Sequence, residues 1–236
     1  MGSVNLADIR AELEQELTWR SDEMRLLHNQ LEFMEEEADR ARYRKSLMVM
    51  LYSHFEGFCV TAFQIYLDAI NSQKIKRKKL NTHLLASSMY DEFRAYDDPK
   101  RKPRHYRELF RRKPEEDTNL IHLAKRIDFL ENIDQFLDEE AVIPENVVHA
   151  ENNLNSTVLR KLLYSVGLPY DSLRAYDGNV EELVNRRNQI AHGHHKRGVS
   201  EATYHKIEHS IFHLLDEIIK LIYTSLHERK YLRSSS

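Results

Sequence analysis

Leu47-Met48-Val49-Met50-Leu51-Tyr52-Ser53-His54-Phe55-Glu56-Gly57-Phe58-Cys59-Val60-Thr61-Ala62-Phe63-Gln64-Ile65-Tyr66-Leu67-Asp68-Ala69 is the stretch on which the fold turns. Within it Leu47, Leu51, Phe55, Phe58, Ala62, Ile65 and Ala69 recur every three or four residues, no proline interrupts, and Gly57 is the one glycine. That period predicts a long helix over about 39–71. On its N-terminal side Leu6, Ile9, Leu13, Leu17, Met24, Leu27, Leu31 and Met34 predict an amphipathic helix over 6–34, within an N-terminal element of about 5–36. On its C-terminal side the pattern predicts a short helix at 82–95. A longer one at about 118–138 carries the stripe Leu120, Leu123, Ile127, Leu130 and Leu137. Pro144 marks a break, and Val147-Val148-His149 reads as a brief extended piece. Asn155-Ser156-Thr157 can cap a helix that runs to about Ser165 and ends at Gly167 and Pro169. A helix over 180–192 has Asn179 as its N-cap, Glu181 and Glu182 in its first turn, and Gly193 as its stop. The last helix, about 200–230, turns Tyr204, Ile207, Ile211, Leu214, Ile218 and Ile222 inward. The expected architecture is all-α: one domain over 1–236, an antiparallel bundle of long helices carrying a basic insertion at about 73–116.

Composition agrees with that reading. Across 236 residues there are 6 glycines and 5 prolines, too few for a many-turned β protein. The 41% of hydrophobic residues are enough for one sizeable core, and the 31% of charged ones exceed the roughly 25% of an average globular chain. Cys59 is the single cysteine, which excludes an intrachain disulfide and a Cys-based zinc site and points to a reducing compartment. The start, Met1-Gly2-Ser3-Val4-Asn5, has no basic region followed by an apolar one, and no stretch is expected to approach the roughly 20 apolar residues of a membrane span. A cytoplasmic protein with no membrane partner is expected.

The net charge of −3 hides an asymmetry: residues 74–113 hold 14 Lys/Arg against 5 Asp/Glu, or +9, leaving −12 for the rest. One run is Lys74-Ile75-Lys76-Arg77-Lys78-Lys79. The other runs from Lys100, Arg101, Lys102 and Arg104 through Arg107 to Arg111, Arg112 and Lys113, interleaved with Tyr96, Tyr106 and Phe110, and its candidate RNA-binding cations are Lys100, Arg101, Lys102, Arg104, Arg107, Arg111 and Arg112. Such a segment attracts polyanions, and its aromatics can stack on unpaired bases, so these seven cations are the candidate RNA-binding residues. A solvated loop that only keeps the chain soluble is the other reading.

In the helix over 180–192 the inward stripe reads Val180, Leu183, Val184, then Arg187, then Ile190 and Ala191. A guanidinium on an inward face needs a partner, either a carboxylate on a neighbouring helix or a phosphate from outside. Glu56, among Leu51, Phe55 and Phe58, is the candidate carboxylate. Arg186 falls on the outer side as an ordinary surface charge. His192 lies five residues beyond Arg187, about 140° round the helix and about 7.5 Å along it, near enough for both to border one cleft. The helix dipole at that end favours a protonated imidazole.

Arg187-Asn188-Gln189-Ile190-Ala191-His192-Gly193 has the R-x4-H form, with a polar residue directly after the arginine. Together with Glu181-Glu182-Leu183-Val184-Asn185-Arg186 before it, the string resembles the HEPN superfamily of all-α proteins, in the bacterial branch allied to the RiboL-PSP-type defence and toxin ribonucleases. Leu51-Tyr52-Ser53-His54-Phe55-Glu56-Gly57-Phe58 and Asn153-Leu154-Asn155-Ser156-Thr157-Val158-Leu159 are similar to the same branch. The resemblance covers about 40–71 and 150–225. It implies a metal-independent endoribonuclease, without cofactor, that works as a homodimer and leaves a 2′,3′-cyclic phosphate and a 5′-OH end. In it His192 is the general acid or base, Arg187 stabilises charge on the phosphate, and Asn188 orients one of them or binds the phosphate. Toxin–antitoxin or antiviral defence settings, with an antitoxin or other partner protein, come with it.

Two rivals stand beside it. His192, His194 and His195, and His205, His209 and His213 at i, i+4, i+8, have spacings that can chelate zinc, although the second trio falls opposite the apolar stripe. A non-catalytic HEPN-like module that binds nucleotide or protein is the other. Cys59 reads as a core residue, and no Gly-rich phosphate loop or nucleophile elbow is present.

Overall fold

The computed structural model describes residues 5–98, 118–151, 153–193 and 197–233. Among them are eight α-helices and no strand. They are α1 Leu6–Asn29, α2 Glu37–Asn71, α3 Thr82–Ser88, α4 Tyr90–Asp97, α5 Thr118–Asp138, α6 Ser156–Ser165, α7 Asp177–Ala191 and α8 Glu201–His227. Asparagine and serine side chains start several of them: Asn5 accepts from the Ala7 N–H, Asn81 from Leu84, Asn155 from Val158, and Ser200 from Thr203.

Helix α2 is the centre, and α1, α7 and α8 pack on it. Every residue of its expected stripe is buried, as is the full stripe of α8. Met48, Tyr52, His54, Cys59, Phe63, Tyr66, Leu67 and Ile70 are buried too, so α2 hides more than one face. By length and hydropathy α2 also qualifies as a membrane span, against the expectation that no stretch would. More than half of the qualifying window, 56%, is buried against other helices, as befits the core helix of a bundle.

Several boundaries differ from the sequence reading. The α1 pattern gives way at Asn29 to a 3-10 turn, Gln30–Phe33. The helix expected at 82–95 is two, divided at Met89, whose backbone (φ −101, ψ 22) leaves the helical region. Of Val147-Val148-His149, expected to be extended, Val147 closes a 3-10 turn, Glu145–Val147, while Val148 is extended (φ −92, ψ 92). The span of α5 is as expected but its facing is not. Leu123, Ile127 and Leu130 are exposed, while Phe129 and Phe136 turn in and Lys125 is buried, donating to the Tyr96 and Asp98 carbonyls. Capping those carbonyls draws the lysine inward, and the aliphatic stripe faces out.

The first basic run is structural. Arg77 is buried and bonds Glu92 at 2.8 Å and Glu139 at 2.9 Å, while Lys76 and Lys78 meet Asp138 at 3.5 and 2.6 Å. The candidate RNA-binding residues Lys100, Arg101, Lys102, Arg104, Arg107, Arg111 and Arg112 lie outside the described residues.

Candidate functional site

Helix α7 begins at Asp177, earlier than the expected start after Asn179. Asp177 therefore occupies the first turn, and Glu181 and Glu182 sit further in with other tasks. Glu181 accepts from the Ser156 N–H at 3.1 Å and its hydroxyl at 2.6 Å, tying the start of α6 to α7. Glu182 binds Arg186 at 2.9 Å and Lys206 of α8 at 3.2 Å. Burial pushes the Glu182 carboxyl up, but the hydrogen bonds from Arg186 and Lys206 outweigh it and leave it below the ordinary carboxylate range. Arg186 is thus a paired flank residue.

Val180, Leu183 and Val184 are buried on the inner face of α7, and Arg187 follows them half-buried. Its guanidinium does not pair with Glu56. It lies on the ring of Tyr52, with Cζ 3.8 Å from the centroid. Arg187 forms no ion pair among the described residues. Its Nη1 donates to Asn188 Oδ1 at 2.9 Å, and its Nε is buried with no hydrogen-bond partner among them. Glu56 is half-buried one helical turn beyond Tyr52.

Tyr52 is the residue that sequence reasoning missed. Its hydroxyl accepts the Leu154 N–H at 2.7 Å, which fixes the ring as a platform. Burial pushes the phenol's pKa up and the Glu56 charge adds to this; the Leu154 N–H and the Arg187 charge pull the other way without prevailing. The platform is therefore neutral near pH 7, and the charge of Arg187 is not cancelled by it. A stacked cation–π contact of this kind is worth about 0.5–2 kcal/mol. The signal for Tyr52 is its place about one turn before Glu56 in the quoted stretch, on the same side of the helix.

His192 caps α7: its N–H bonds the Asn188 carbonyl at 3.0 Å, its side chain is exposed, and Gly193 follows in the left-handed region (φ 71). The chain then returns to α2, where the Val199 N–H bonds the Ala41 carbonyl at 2.8 Å and buried Arg44 donates to the Val199 carbonyl at 2.7 Å while pairing with Glu37. A Cβ on Gly198 would fall 2.4 Å from that of Ala41, so only glycine fits this approach. Both ends of the segment after His192 are thereby anchored to helices of the bundle.

The structure brings together Tyr52, Leu154, Arg187 and Asn188, one or more from each of the three stretches quoted above. His194 and His195 lie outside the described residues. Among the described residues no group of three or more His, Cys, Asp or Glu is arranged to hold a metal ion. His205 lies instead beside His28, with ring centroids 5.1 Å apart, and His213 Nδ1 meets the Tyr176 hydroxyl at 2.5 Å. Cys59 is in the core, and burial pushes its thiol pKa well up, away from nucleophile chemistry.

No curated protein and no solved structure matches the chain. The HEPN_MAE_28990-like HEPN family model matches residues 9–231, nearly the whole sequence. At its coarsest that match supports a nuclease or nucleotide-binding module. With an all-helical fold and a match over nearly its whole length, the chain belongs to the HEPN superfamily.

Proposed function

We propose that the protein is a metal-independent endoribonuclease that cleaves RNA by attack of a ribose 2′-OH, leaving 2′,3′-cyclic phosphate and 5′-OH ends. The observation that carries this reading is the state of Arg187. A half-buried guanidinium resting on a neutral phenol, with no carboxylate paired to it among the described residues, keeps its charge for an incoming anion. A scaffold role would be better served by a carboxylate. Arg187 stabilises charge developing on the phosphate, Asn188 holds the guanidinium in its orientation, and His192, at the open end of the helix, moves the proton at the 2′-oxygen or the 5′-oxygen. No cofactor is required. The working unit is a homodimer in which two α7 helices face each other across one cleft. A cytoplasmic toxin or defence nuclease, held in check by an antitoxin or another partner protein, is the matching setting.

The test is incubation of purified protein with RNA in the presence of a chelator, beside Arg187→Ala and His192→Ala. Since general acid–base action contributes about 10²–10⁴ in rate, His192→Ala should lose cleavage by that factor with its melting curve unchanged. Identical RNA patterns from all three proteins would leave a non-catalytic nucleotide- or protein-binding module.

A further inference from the structure

On the outer face of α6, Arg160 and Lys161 lie three and four residues after Thr157 and four and three before Tyr164. With His149 and Tyr170 they line an open groove of about 580 Å³. Tyr164 is 56% exposed and Tyr170 48%, unusual for neighbouring aromatic rings; they meet edge to face at 63°, with centroids 6.0 Å apart, so each offers its own face to a base. Their mounting is firm. Tyr164 packs edge-on against His83 at 4.5 Å, and the Ser87 hydroxyl bonds the Ser165 carbonyl at 3.1 Å. Gly167 (φ 71) then turns the chain directly against Asn81.

The groove is joined to the candidate site through the start of α6. Leu154, just before the helix, holds the Tyr52 hydroxyl, and Ser156, its first residue, is held by Glu181 of α7. From Thr157 to Tyr164 the helix rises about 10.5 Å, room for about three stacked bases at about 3.4 Å each. The two cations are only lightly held. Lys161 meets both oxygens of Glu151, at 3.0 and 3.2 Å, in an exposed pair, and Arg160 meets Asp177 at 3.5 Å and donates to the Ser156 carbonyl at 3.3 Å. Pairs of that kind have little net strength, so a phosphate can take the carboxylate's place.

We infer that this groove is a base-stacking subsite for single-stranded RNA, in which Tyr164 and Tyr170 stack on nucleobases flanking the cut and Lys161 and Arg160 hold the intervening phosphates. The inference rests on the nuclease reading for its ligand class, but its geometry is independent of Arg187 and His192. Paired aromatics set among cations suit bases joined by phosphates better than they suit a peptide, whose backbone carries no charge for Lys161 and Arg160 to meet.

The probe is a labelled 2′-O-methyl octanucleotide, which lacks the attacking hydroxyl and stays intact, titrated against the full chain by fluorescence anisotropy. Tyr164→Ala and Tyr170→Ala should each weaken binding about 5- to 100-fold without changing its salt dependence, since stacking releases no counterions. Tyr164→Phe should bind as the unaltered chain does, and Lys161→Gln should lower the salt slope by about one. Circular dichroism establishes that the variants fold. Unchanged affinity in folded tyrosine variants, with cleavage of ordinary RNA intact, would overturn the subsite and leave the nuclease reading standing. Failure of the unaltered chain to bind or cleave any RNA would remove both. Capture of a proline-rich peptide by these tyrosines in place of RNA would also overturn the subsite.

Discussion

Arg187 rests on a phenol where a carboxylate was expected, and the difference is chemical. A carboxylate at 3 Å would neutralise the guanidinium and compete with any phosphate, whereas an aromatic face holds it in place and leaves its charge in force. In the proposed nuclease Tyr52 is a positioning residue, and its two contacts separate by substitution. Tyr52→Phe keeps the ring and loses the acceptor of the Leu154 N–H, a loss of about 1 kcal/mol in stability, with cleavage largely kept. Tyr52→Leu removes the platform as well. Its kcat on a defined RNA should fall at least tenfold below that of Tyr52→Phe, while KM moves little. Equal kcat values for the two variants would show that the ring does not set the guanidinium.

Where α1 meets α2, His54 is the element-scale feature with a pH consequence. It is buried, its Nε2 is 3.2 Å from the Glu23 carboxylate, and its ring meets Trp19 edge-on at 5.5 Å. Burial pushes its pKa below the ordinary imidazole value; Glu23 raises it and Arg20 lowers it, and the net direction is down. A depressed folded pKa means that the contribution to stability is present above the unfolded value near 6.5 and is lost as pH falls through the folded value. Melting temperature should therefore drop as pH is lowered from about 7 to 5, and His54→Phe should flatten that drop. An equally steep decline in the variant would assign the acid sensitivity to other groups. The same scale explains why α5 was misread: its period gave the helix, but Lys125 and Phe129 are the side that is covered.

For the whole molecule the proposed unit is two chains, and subunit mixing tests it. Arg187→Ala and His192→Ala chains, each inactive alone, should regain part of the cleavage when denatured and refolded together, because about half of the dimers formed are mixed and each mixed dimer carries one intact Arg–His set across its two chains. No recovery, with mixed dimers shown to form, would place both residues of a working site on one chain. Charge is the other molecular property. With Arg77 and Lys78 committed to Glu92, Glu139 and Asp138, the attraction for RNA that the proposed activity calls for falls to the second basic run. Neutralising Lys100, Arg101, Lys102 and Arg104 should lower the slope of log K against log salt by up to about 3 for a single strand. A slope that does not move would take this segment out of RNA binding.

The sequence by itself determined the helical class, the burial of the α2 and α8 stripes, and the placing of Arg187 and His192 at the end of α7. Each follows from local period and helix-end chemistry, which act within a few residues. It also put Tyr52, Leu154 and Arg187 in three separate stretches without showing that they touch. What only the tertiary structure decided was the partner of Arg187, the outward face of α5, the inward use of Arg77 and the glycine fit of Gly198 against Ala41. Those depend on which side chain is nearest across helices far apart in the chain, and periodicity carries no record of distance between elements.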